Sequence, residues 1–175
     1  MSSFNSTVPQ ASTNHNPTSG QRSDLDIPLM PDELDRHDYP DVPFWQRSEW
    51  ATKEKESVSE VKKFDFLTNE LGEVVSSGRL KEMTEAAKEA WIELYSNRMD
   101  PESWGKKGRL PAKYFNSVMK NAFPEFCYCD GNWKIEIFAT LKYPDWKKNC
   151  RKTGNLTRTV YFKINPSLFT HPFKF

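Results

Sequence analysis

SSGRLKEMTEAAKEAWIELYSNRMDP, residues 76–101, decides the fold class. Leu80, Met83, Ala87, Trp91, Leu94 and Tyr95 recur there at three- and four-residue steps. At about 3.6 residues per turn this spacing draws one apolar stripe along a helix, so a helix is predicted from Arg79 to Arg98 with the stripe on a core. Ser76 or Ser77 can cap its first turn, because a serine oxygen accepts one of the orphan N–H groups there. Asp100-Pro101 ends it, since the residue before a proline is driven out of helical backbone angles.

Towards the C-terminus, PESWGKKGRLP is a connector from which Trp104 returns to the core. A second helix starts at Pro111, a good first-turn residue, and presents Tyr114, Phe115, Val118, Met119, Ala122 and Phe123 as its buried face until Pro124 ends it. A third helix, capped by Asp130 or Asn132, is predicted from Trp133 to about Leu141. Trp133, Ile137 and Leu141 make its stripe with Phe138 beside them, and Tyr143 and Trp146 follow in a short terminal turn. Beyond Lys152 only Thr157 to Ile164 reads as a strand, within an aromatic, proline-broken tail.

Towards the N-terminus, KFDFLTNELGEVVSSG alternates Phe64, Phe66 and later Val74 around a turn-rich centre. It reads as a small β-hairpin with Gly72 free to take positive φ. A lone hairpin is marginal, so this one must pack on the helices. Before it, Pro43 suits a helix start ahead of Trp45 and Trp50, and Lys53 to Glu60 forms a solvated face. SDLDIPLMPDELDRHDYPDVP, residues 23–43, mixes acids, prolines and Leu25, Ile27, Leu29, Met30 and Leu34 without helical period. It reads as an acidic linker able to dock on a basic partner or on its own domain. Residues 1–22 are polar and nearly uncharged and predict a disordered tail. The expected fold is mainly α: a small three-helix domain with a β-hairpin at its N-terminal side. Residues 44–152 form the α-rich globular domain and 153–175 a C-terminal extension.

Charge is divided along the chain. Residues 1–78 hold 7 Lys and Arg against 14 Asp and Glu, residues 79–175 hold 18 against 10, and the whole chain is left at +1. A basic half serves polyanion binding, and an acidic half in the same chain can cover it. No stretch approaches the ~20 apolar residues of a membrane span, and the first residues lack a secretory pattern. The three cysteines do not form a disulfide framework, and reduced thiols fit an intracellular home, nucleus or cytoplasm.

Several short anchors recur in a known order. YPDVPFWQRSEW, LTNELGEVVSSGRL, AWIEL, PESWGK, FPEFCYCDGNWK and IFATLKYPDW resemble a lineage-expanded family of uncharacterised basidiomycete proteins. In this chain the family pattern falls on Trp104-Gly105-Lys106, Phe123-Pro124-Glu125, Trp133-Lys134, Ala139-Thr140, and Tyr143 with Trp146, within residues 39–148. The family has no assigned reaction, ligand or partner, so the resemblance implies no catalytic residue. The tail from Lys152 departs from the family pattern, in which a more polar extension is usual.

Chemistry-bearing residues are sparse. Cys127 and Cys129 stand one residue apart with no second ligand pair, which disfavours zinc and reads as an interhelical turn. Alternation buries one of the two, and the family pattern points to Cys129, leaving Cys127 exposed. His15, His37 and His171 all lie outside the expected core, and no phosphate loop or HExxH is present. The reading is therefore no enzyme, no cofactor and no small-molecule substrate. Two binding readings remain. One is contact with nucleic acid or another polyanion through Lys106, Lys107 and Arg109 before the second helix and Lys147, Lys148, Arg151 and Lys152 after the third. Acids interleave with those bases, and WKIEIFATL offers few groups to read base edges, so sequence-specific readout is not expected. The other is a protein-interaction module that binds an acidic or amphipathic segment, such as residues 23–41 of the chain itself. The six tryptophans are read as core in both.

Overall fold

The computed structural model describes residues 25–56 and 62–153, with side chains through Cys150. The predicted tail over 1–22 and the strand over 157–164 lie outside the described residues. Four helices make the domain: α1 (Arg47–Glu56), α2 (Ser77–Ser96), α3 (Arg109–Ala122) and α4 (Trp133–Thr153). Single 3₁₀ turns at Arg36–Asp38, Trp104–Lys106 and Pro124–Phe126 punctuate the connections.

α2 forms where its stripe predicts. The Ser76 side chain accepts from the Arg79 N–H at 3.1 Å and caps the helix. Met83, Ala87, Ala90, Trp91 and Leu94 are buried, while Tyr95, placed on the stripe by spacing, is exposed. The helix ends at Ser96, and two residues on Arg98, with a φ of 58°, puts a non-glycine residue in left-handed backbone. The Met99 N–H then reaches back to the Leu94 carbonyl at 2.8 Å, closing the last turn.

Trp91 lies at the centre of the core. Its indole stacks on Phe115 of α3 at 5.4 Å and 4°, and meets Tyr143 and Trp146 of α4 at 5.3 and 5.7 Å. Trp104 closes the group against Phe115 at 4.6 Å, so the connector does return its tryptophan to the core. These anchors explain why α4 runs on to Thr153 when Leu141 was its expected end. Pro144 costs an intrahelical hydrogen bond on an exposed side. Tyr143 Oη donates to the Pro101 carbonyl at 2.6 Å, and Trp146 is buried, which holds the following turns in place.

The expected β-hairpin is not there. Among the described residues no strand forms, and the stretch carries one isolated bridge, Thr68 to Val74. The intended first strand instead turns. The Asp65 carboxylate accepts from the Lys62 N–H at 3.0 Å, and the Leu67 N–H bonds the Phe64 carbonyl at 2.9 Å. Asn69 Oδ1 then takes the N–H groups of Leu71 and Glu73, and the backbone bonds that cross the loop, Asn69 N–H to the Glu73 carbonyl at 2.9 Å and Val75 N–H to the Leu67 carbonyl at 3.0 Å, stop short of a ladder. Gly72 does take positive φ, 75°, and a Cβ there would collide with the Asp41 carbonyl. The loop is packed against the segment that precedes α1.

That segment forms a second small cluster. Val42, Trp45 and Tyr128 are buried together, with Leu34 and Tyr39 half-buried against them. Glu49 fixes the start of α1 by accepting from the Trp45 and Gln46 N–H groups at 2.7 and 2.9 Å while pairing with Arg36 at 2.8 Å. Burial alone would raise its carboxyl, but the Gln46 amide, Arg36 and the Trp45 amide together hold it below its ordinary value.

Candidate interaction surface

The basic residues singled out from sequence do not form one free face. Lys107 pairs with Glu136 at 2.7 Å with its side chain only 17% exposed, and its ammonium lies 5.2 Å from the Trp104 ring centre. The same Glu136 oxygen accepts from Trp104 Nε1 at 3.2 Å, so Lys107 fastens the connector to the first turn of α4. Lys147 is likewise tied to Asp100, with both side chains largely covered. Lys106 pairs with Glu102 at 2.8 Å in the open. Arg109 and Lys148 are exposed, and the side chains of Arg151 and Lys152 lie outside the described residues. Glu136 and Lys147 are eleven residues apart on α4, roughly 16 Å at the helical rise, so the two basic groups attach to opposite parts of one helix. Lys142 is set over the Phe64 ring at 4.7 Å.

The cysteine turn is closed. Cys127 and Cys129 are both buried, against the expectation that Cys127 is exposed. The 3₁₀ turn at Pro124–Phe126 breaks the alternation on which that expectation rested. Cys129 Sγ points to the Phe126 and Gly131 carbonyls at 3.5 and 3.7 Å, and Cys127 Sγ to the Lys120 carbonyl at 3.7 Å. Burial pushes both thiols up, away from the reactive thiolate. Among the described residues no three His, Cys, Asp or Glu side chains gather to hold a metal ion. Beside this turn Lys134 is wholly buried, and its Nζ has no hydrogen-bond partner. Burial lowers that amine to about 8, against weaker pulls upward from Cys129 and Glu49. As a lysine on a predicted surface it gave no sign of this from sequence.

The surface with a visible occupant is the outer face of α3. Residues 25–35 have no regular secondary structure and form a strap that is tied to this helix at Pro28 and Leu29. Leu25 and Ile27 pack half-buried against the main core. Ser117 Oγ donates to the Pro28 carbonyl, and Asn121 Nδ2 donates to the Leu29 carbonyl at 2.8 Å while also bonding the Ser117 carbonyl. Ser117 and Asn121 are one helical turn apart, so two successive strap carbonyls meet two successive donors on one face. The Leu29 side chain points away from the helix and is 90% exposed. Downstream, Leu34 enters the second cluster and Arg36 anchors on Glu49. Sequence reasoning named the acidic segment but neither Ser117 nor Asn121. A polar pair at i and i+4, of which Ser117 is buried and Asn121 exposed, was the available signal.

Comparison of the chain with protein-family models, with curated proteins and with solved structures returns no match. Among the described residues no helix is long and apolar enough to cross a membrane.

Proposed function

We propose that the chain is a non-catalytic protein-interaction module whose working surface is the α3 face now covered by residues 25–34. The observation that carries the reading is the pair of side-chain hydrogen bonds from Ser117 and Asn121 to the strap's own backbone carbonyls. Side chains that grip a backbone accept any segment of suitable shape, and the flanking apolar contacts at Leu25 and Ile27 select for spacing. The polyanion reading has less support, because Lys107 and Lys147, central to it, are engaged with Glu136 and Asp100 inside the fold.

The seating is weak enough to be displaced. Two side-chain hydrogen bonds contribute about 1 kcal/mol each, and two half-buried aliphatic side chains about 1 kcal/mol each, before the strap's ordering entropy opposes them. On that sum such a segment added in trans binds no tighter than about 1 mM. Tethered, it acts at an effective concentration of about 1 mM, which leaves the seated and unseated forms comparably populated.

The test is an NMR titration of the full chain carrying Leu25→Asp and Ile27→Asp, which unseat the strap, with the peptide DLDIPLMPDELD. Binding to this variant about twofold tighter than to the unaltered chain is expected, with shifts at Ser117 and Asn121. Absence of binding in a variant that still unfolds cooperatively overturns the reading. A parallel titration with duplex and single-stranded DNA is expected to be flat at low salt, and tight, salt-sensitive binding would favour the polyanion reading instead.

A further inference from the structure

Resting on the interaction-module reading, we infer that the α3 face recognises a particular class of partner: proline-containing peptides in the polyproline II conformation, of pattern apolar-x-apolar-Pro-x. The strap itself is Leu25-Asp26-Ile27-Pro28-Leu29-Met30-Pro31. Its two prolines fix their own φ, and Ile27 and Met30, each before a proline, are held to extended backbone. Conformational freedom across residues 27–31 is thus small before binding.

The hydrogen bonding has the same polarity. Ser117 and Asn121 both donate to the strap, and among the described residues no strap N–H from Asp26 to Leu34 donates to a protein acceptor. A face that only donates fits a segment whose backbone chiefly accepts, and proline has a carbonyl but no N–H. Geometry separates polyproline II from a strand. In a β-strand successive residues face opposite sides, so two adjacent carbonyls cannot both turn to one helix. In polyproline II, with about three residues per turn and no internal hydrogen bonds, adjacent carbonyls are turned about 120° apart rather than opposed, and both stay free for outside donors. Here those adjacent carbonyls belong to Pro28 and Leu29.

Side-chain selection falls at two positions. Leu25 and Ile27 pack on the core, whereas Asp26, Pro28 and Leu29 are exposed, so the face reads the residues three and one before the first gripped carbonyl. Leu29, 90% exposed, is free to vary in a partner.

The experiment uses the full chain with Leu25→Asp and Ile27→Asp, titrated by NMR with four peptides. These are DLDIPLMPDELD, the same with both prolines replaced by alanine, the same with Leu25 and Ile27 replaced by serine, and the same with Leu29 replaced by serine. The proline-free peptide is expected to bind about fourfold more weakly or worse, the loss that two freed backbone positions produce. The serine-for-Leu25-and-Ile27 peptide should fall below detection, and the Leu29 peptide should match the parent. Equal affinity for the proline-free peptide overturns this inference while leaving the interaction surface intact. No binding of the parent peptide overturns the surface itself. If the double variant fails to unfold cooperatively, Pro28→Ala with Pro31→Ala in the otherwise unaltered chain replaces it. The Ile27 methyl resonance should then shift towards its unseated position, and an unmoved resonance overturns the inference.

Discussion

Replacing Lys134 with methionine should stabilise the protein, and the gain should disappear in alkali. The Lys134 side chain is fully buried, its Nζ has no hydrogen-bond partner, and the amine is lowered from 10.5 to about 8 by burial. At about 1.36 kcal/mol per pH unit, that difference corresponds to roughly 3 kcal/mol of penalty for holding the charged form in the fold. Imperfect packing by methionine offsets part of it, so Lys134→Met should raise stability at pH 7 by about 1 to 3 kcal/mol. The sign follows from linkage. Between about 8 and 10.5 the unfolded chain binds more protons at this lysine than the folded one does, so its contribution to stability rises with pH across that window. Below about 8 the penalty is fully present, and above 10.5 it is gone. Cys129, raised by burial, contributes in the opposite direction, but it is present in both chains and largely cancels from their difference. Urea unfolding followed by tryptophan fluorescence between pH 6.5 and 10.5 measures the difference, with Cys129→Ala in both chains as a check. A difference that does not change with pH, or a wild-type chain as stable as the variant at pH 7, would refute the reasoning.

Other consequences are as direct. Arg98→Gly relieves a non-glycine residue at φ 58° and should raise stability by about 1 kcal/mol in the same unfolding assay. Gly72→Ala should lower it by about 2 kcal/mol or more, because positive φ is combined with a collision on the Asp41 carbonyl; the loss should be accompanied by altered NMR shifts around Asp41. Arg79→Ala should cost about 3 kcal/mol, since it leaves Glu125, 7% exposed and held at 2.7 and 3.2 Å, without its partner. Thermal unfolding of Arg79→Ala beside Arg79→Ala with Glu125→Leu checks the cause, because the second change should recover part of the loss.

The helices were legible because their signal is local. Apolar spacing placed α2 to within two residues at each end, and Pro111 and Pro124 bracketed α3. Where distant contacts decide, local reading failed. Alternation of Phe64 and Phe66 predicts a strand, but Asp65 bonds back to Lys62 and turns the chain. The apolar stripe predicts an end near Leu141, but Tyr143 and Trp146 are anchored to Pro101 and Trp91 and carry α4 past Pro144. Lys107 and Lys147 look free in a basic run, and only the fold brings Glu136 and Asp100 to them. The strap was visible as an acidic segment able to dock on its own domain, whereas the residues that hold it are 89 and 92 positions away and grip its backbone, which leaves no mark in its sequence.

A strap that is a displaceable occupant of α3 must yield its place to an added copy of itself. A titration of the unaltered full chain with DLDIPLMPDELD to several times the roughly 1 mM effective concentration of the tethered segment tests this most directly, read by the Ile27 methyl and the Asn121 side-chain amide. The Ile27 methyl is expected to move saturably towards the position it has in Leu25→Asp chains, while the Asn121 amide keeps the signature of a bonded donor. An Ile27 methyl that stays in place at the highest peptide concentration would contradict it.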